Sequence, residues 1–199
     1  MPHKCRETVA VDALAPILLA ASLLLLPLPW LAAAILAGLI HELFHWLAVR
    51  LCGGKISRIR IGPGGALMTA EPLTPGKQMI CSLAGPASGL CLLFLGRWMP
   101  RTALCAVVQS VYNLLPILPL DGGRALETLA NSLFPEKAAD RICYVFAIST
   151  FIVLALGALC AAIFWSLGIT GFIPAALVAA HIRRNYRKTP CIARRFTIQ

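Results

Sequence analysis

Apolar residues in this chain come in runs, and most runs are too long for the helices of a soluble domain. Residues 13–26 are almost wholly apolar until "PLP" at 27–29 stops them. Residues 30–51 form a second run, interrupted only by "HELFH", whose ends are His41 and His45, and by Arg50. Further runs cover 79–96, 102–118, 142–167 and 169–181. About 20 apolar residues cross a bilayer as a helix, so the pattern predicts about six transmembrane helices. Residues 52–78 differ. They are rich in Gly and Pro, and "ISRIRI" alternates apolar with polar before "GPGGALMTAEP". Period-two patterning ended by glycines predicts a short β-hairpin between the second and third helices. The expected fold class is an all-α polytopic membrane protein with one β-hairpin-like segment.

Composition agrees with the pattern. The chain is 59% hydrophobic and 13% charged over 199 residues, with a mean hydropathy of +0.80; soluble domains carry about 25% charged residues. A net charge of +10 would suggest nucleic acid in a soluble protein. No recognition motif accompanies it, so the expected partner is the lipid bilayer and not nucleic acid. Six spans put both termini on one side, and only Arg97 and Arg101 then fall on the other. The remaining 16 of 18 basic residues share the side of the termini, which the positive-inside rule makes cytoplasmic. A cleaved signal peptide ending near "AAA" at 32–34 is the rival reading of the first run. Glu7 and Asp12 in its flank and the apolar continuation past the alanines favour an uncleaved span. The eight cysteines form no CxxC pair and read as small buried apolar residues.

The polar insertion in the second run carries the chemistry. On a helix, His41 and His45 share one face, so both imidazoles can reach one metal ion. Glu42 stands beside the first of them, placed to take a proton from metal-bound water. Ionisable groups inside a membrane segment are costly and usually functional. A catalytic zinc takes a third protein ligand. The longer metzincin pattern needs Gly at 48 and His at 51, where this chain has Ala48 and Leu51. Glu71, His181 and Asp121 remain. Asp121, in "LPLDGGRAL", is the strongest, because the second and fourth spans both run toward the cytoplasmic side and end at comparable depth. Pro116 and Pro119 break the helix before it, and Gly122 and Gly123 free the backbone beyond it. Helix capping is the alternative role for this Asp. "GPASG" holds Gly85 and Gly89 at a small-xxx-small spacing, which reads as helix packing.

"HELFH" on one span with "NLLPILPLDGG" on a later one resembles the site-2 protease family of intramembrane zinc metalloproteases. "RIRIGPGGALM" and "SLAGPASGL" narrow the resemblance to the bacterial branch that processes a sporulation sigma-factor precursor. The resemblance implies one Zn²⁺ bound by His41, His45 and Asp121, with Glu42 as catalytic base. Asn113 matches the Asn of the family's NxxPxxxLDGG pattern, which implies substrate positioning or oxyanion stabilisation; bonding to a neighbouring helix is its alternative role. Proteins of that branch often carry a CBS domain, and the residues after His181 are too few for one. The expectation is a single membrane protease domain over 1–199 with no CBS or PDZ domain, in a bacterial inner membrane with its active site toward the cytoplasm. Its substrate would be a membrane-associated protein of the class of membrane-tethered transcription-factor or sigma-factor precursors. Membrane regulatory partners and a homo-oligomer are compatible with this reading. "ISRIRI" would offer an edge that pairs with an extended substrate, while Arg58 and Arg60 would serve equally as lipid-headgroup contacts. A metal-binding transporter or a non-catalytic membrane protein is the reading from another class. It would be expected to show repeated halves and polar residues along a pathway, and the sequence has one cluster and no repeat.

Overall fold

A computed structural model describes residues 8–11, 27–62, 65–71, 73–165, 176, 179–180, 182–183 and 197–198. The described helices are α1 (Leu28–Leu51), α2 (Pro75–Phe94), α3 (Pro100–Asn113), α4 (Asp121–Leu133) and α5 (Glu136–Trp165). The strands are β1 (Thr8–Val11), β2 (Ile56–Gly62), β3 (Gly65–Ala70) and β4 (Thr197–Ile198). The chain divides into two compact units, Met1–Leu114 with Arg194–Gln199, and Leu115–Ala193.

In the first unit, α1, α2 and α3 pack with small and polar residues inward. Along α1 the buried positions Ala33, Ala37, His41, His45 and Val49 recur every four residues. Leu39, Leu43, Leu47 and Leu51, on another face, are exposed. The buried set on α2 is Cys81, Ser82, Gly85, Pro86, Ser88, Gly89 and Leu92, and on α3 it is Thr102, Ala103, Ala106, Ser110 and Asn113. This arrangement suits a membrane. Lipid provides no hydrophobic reason to bury leucine, so close packing through small residues holds the helices together. Among the described residues, three helices are long and apolar enough to cross a bilayer: α1, α2 and residues Glu136–Cys160 of α5. At 1.5 Å per residue α1 is about 36 Å long.

The hairpin prediction holds, with a larger sheet around it. The strand order is β1-β2-β3-β4. β1 lies parallel to β2, β2 and β3 are antiparallel, and β4 adds to β3 at Met68 and Thr69. A register shift between Ile56 and Arg58 changes which face the later residues present. Ile56, Met68 and Ala70 therefore join Ala48, Val49 and Cys81 in one apolar cluster, with Ile59 packed against it. The edge expected of "ISRIRI" is absent, because β2 is bonded on both sides and lies inside the sheet.

One span boundary and one connecting segment also differ from expectation. The helix expected over 102–118 ends at Asn113. Its 14 residues reach about 21 Å, less than the hydrocarbon core of about 30 Å. Pro116 and Pro119 cannot continue it. The segment beyond Asp121, expected to be irregular, is the amphipathic helix α4, and Gly122 and Gly123 lie within its first turn. The expected span over 13–26 lies outside the described residues, as does most of that over 169–181, including His181.

Candidate metal centre

The four-residue spacing of His41 and His45 works as the sequence predicts. Both are buried, at 1% and 0% exposure, and their rings meet edge to face with centroids 4.9 Å apart. The Nε2 atoms converge to 3.3 Å. His45 Nδ1 lies 2.7 Å from the Cys81 carbonyl oxygen on α2. A carbonyl only accepts, so Nδ1 carries the proton and Nε2 presents its lone pair. Histidines that bind metals are commonly oriented this way, by giving the other N–H to a backbone carbonyl. Two imidazoles on a tetrahedral zinc, at about 2.0–2.1 Å each, hold their nitrogens about 3.3–3.4 Å apart. The pair therefore already has the spacing that one zinc requires.

The opposite wall is Gly85. A Cβ at this position would lie 2.7 Å from His41 Nε2 and closer still to His45 Nε2. The missing side chain leaves open the space that both nitrogens face, so the residues present fit a metal ion. Gly89 has a different task. A Cβ there would lie 2.9 Å from the Ala106 carbonyl oxygen and meet Ser110, so it sets the approach of α2 to α3. Of the two small residues read as a packing motif, one packs helices and the other keeps the histidine pair clear.

Asn113, the last residue of α3, is buried, with Nδ2 3.1 Å from His41 Nε2. It thus stands at the histidine pair, and the same contact joins the end of α3 to α1. Glu42 is half-buried beside His41 on α1. Glu71 lies just past β3 and is exposed, which suits solvent better than the buried histidine pair.

In the second unit, Asp121 opens α4 and is fully buried. The turn before it is tightly knit: Leu120 N–H donates to Ile117 O at 2.9 Å, and Arg124 Nε–H to Pro119 O at 2.8 Å. The Leu118–Pro119 peptide is cis. A Cβ on Gly123 would lie 2.6 Å from Leu118 N, so this glycine is needed for close approach of the turn and not for a free backbone. Asp121 is the first residue of α4, and Leu120 occupies the cap position.

No family model matches the chain. Its coordinates superpose on the site-2 protease from Methanocaldococcus jannaschii with a TM-score of 0.64, covering 93% of this chain and 94% of that one at 17% identity. This is the site-2 protease fold. Site-2 proteases are membrane proteins, and the exposed leucines of α1 agree with that environment. The chain is also similar in sequence to "Putative zinc metalloprotease sll0528" of Synechocystis sp. (strain ATCC 27184 / PCC 6803 / Kazusa). The two are 31% identical over 124 residues, 51% of this chain, and the chain spans about a third (32%) of that relative's length. Within the site-2 protease fold, sequence reasoning missed the Cys81 carbonyl, which has no side-chain signature, and gave Gly85 another purpose.

Proposed function

We propose that this chain is an intramembrane zinc metalloprotease that hydrolyses a peptide bond in or near a membrane-embedded segment of a protein substrate. The observation that carries the reading is the convergence of His41 and His45 Nε2 at 3.3 Å against the space left by Gly85. Zinc would be held by His41, His45 and Asp121, each of them buried. Two imidazoles and one carboxylate match the three-ligand pattern of catalytic zinc sites. When bound, one zinc ion supplies a Lewis acid that activates water and polarises the scissile carbonyl. Glu42 takes a proton from the attacking water and returns it to the leaving amine. Asn113, through Nδ2, donates to the developing oxyanion and positions the substrate. The Cys81 carbonyl keeps the proton of His45 on Nδ1.

The substrate chain must be extended where it is cut, since a helix encloses its own backbone bonds. Both termini and the active site face the cytoplasm in this reading, on the strength of the basic-residue asymmetry. A membrane-tethered sigma-factor precursor is the substrate class that the sequence resemblance favours. The test is co-expression with tethered precursors, comparing wild type with Glu42→Gln and measuring zinc content in parallel. The variant should keep its zinc and lose cleavage. Cleavage that survives in Glu42→Gln removes Glu42 as base. Zinc binding by a wild type that cleaves no tethered substrate turns the reading toward a non-catalytic metal-binding protein.

A further inference from the structure

Cys52 caps the end of α1, seven residues after His45, and this step of about two turns keeps both on one side of the helix. Cys81 of α2 meets that side at both places. Its carbonyl accepts the His45 Nδ1 proton, and its side chain belongs to the apolar cluster against which Cys52 packs. Lys77, one turn before Cys81 on α2, donates from Nζ to the Cys52 carbonyl oxygen at 2.9 Å, which holds the end of α1 against this part of α2. Cys81 is fully buried and Cys52 partly exposed. One sulfur is therefore open to a reagent and the other waits behind it, the arrangement of an attacking and a resolving cysteine.

We infer that Cys52 and Cys81 are a disulfide-forming pair, a modification site that reacts with low-molecular-weight disulfides. The Cys52 thiolate attacks one sulfur of the oxidant, the oxidant's S–S bond breaks, and one oxidant thiol leaves. The Cys81 sulfur then attacks the Cys52 sulfur of the mixed disulfide and gives up its proton to the second departing thiol. Two protein thiols are oxidised to one disulfide, and the oxidant is reduced to two thiols. The new bond closes the β2–β3 hairpin into a covalent loop. It also ties the end of α1 to the residue that orients His45.

The inference does not depend on the zinc reading and is tested without a substrate. The full chain, reduced and purified in detergent micelles, is treated with oxidised glutathione, quenched with N-ethylmaleimide and mapped by mass spectrometry. The expected product is a peptide pair linked through Cys52 and Cys81, two hydrogens lighter and released by dithiothreitol. In Cys81→Ser, glutathione should remain on Cys52. In Cys52→Ser, Cys81 should stay a free thiol. A wild type that accumulates glutathione on Cys52 while Cys81 is recovered unoxidised overturns the inference. Should Cys81→Ser fail to fold, wild type and Cys52→Ser still decide, because Cys52 is partly exposed at a helix end.

Discussion

Replacing Gly85 by Ala adds one methyl group at the point that both histidines face. That Cβ would stand 2.7 Å from His41 Nε2, where ordinary contact begins at 3.4 Å. Either the ring or α2 must therefore yield by about 0.7 Å, and His45 by more. Metal-ligand distances tolerate about 0.2 Å, so the displacement exceeds the tolerance several-fold. Disturbing the groups that merely orient a ligand already costs about 10–100-fold in affinity. Displacing the ligands themselves should cost at least about 100-fold, or roughly 2.7 kcal/mol. The assay is competition for zinc with a chromophoric chelator on the detergent-purified protein, with a melting curve for each variant. Gly89→Ala is the control. Its Cβ also clashes, but with Ser110 and the Ala106 carbonyl, so it should lower the melting temperature and leave zinc affinity within about threefold. Zinc binding by Gly85→Ala within threefold of wild type would refute the argument that this glycine clears the metal position.

Asp121→Asn keeps the shape and removes the charge; bound zinc should fall at least tenfold in the same competition assay, and full retention would return attention to Glu71. Asn113→Ala removes the amide 3.1 Å from His41 Nε2; turnover should drop by about 10²–10³ with zinc affinity changed by less than tenfold, a split that a ligand or packing role would not produce. Gly123→Ala places a Cβ 2.6 Å from Leu118 N, where backbone cannot easily give way. It should destabilise the protein by about 1–3 kcal/mol, read as a lower midpoint in thermal or denaturant unfolding.

Local periodicity explains what the sequence determined by itself. His41 and His45 face together because 3.6 residues make a turn, whatever surrounds α1. The hairpin follows from alternation ended by glycines, and the long helices follow from the length of their apolar runs. The helix after Asp121 was legible too, since Leu126, Leu129, Ala130 and Leu133 recur at helical spacing, but two glycines at its start concealed it. The rest depends on pairs of segments distant in the chain. Gly85 matters because α2 brings it against His41 and His45, whereas Gly89, four residues later, only sets helix spacing. The Cys81 carbonyl carries no sequence signal at all, because every residue has one. β2 has an edge-like pattern, yet β1 and β3 cover both its sides. A sequence fixes which groups each element offers, whereas close approach belongs to two elements at once, and only the packed structure decides it.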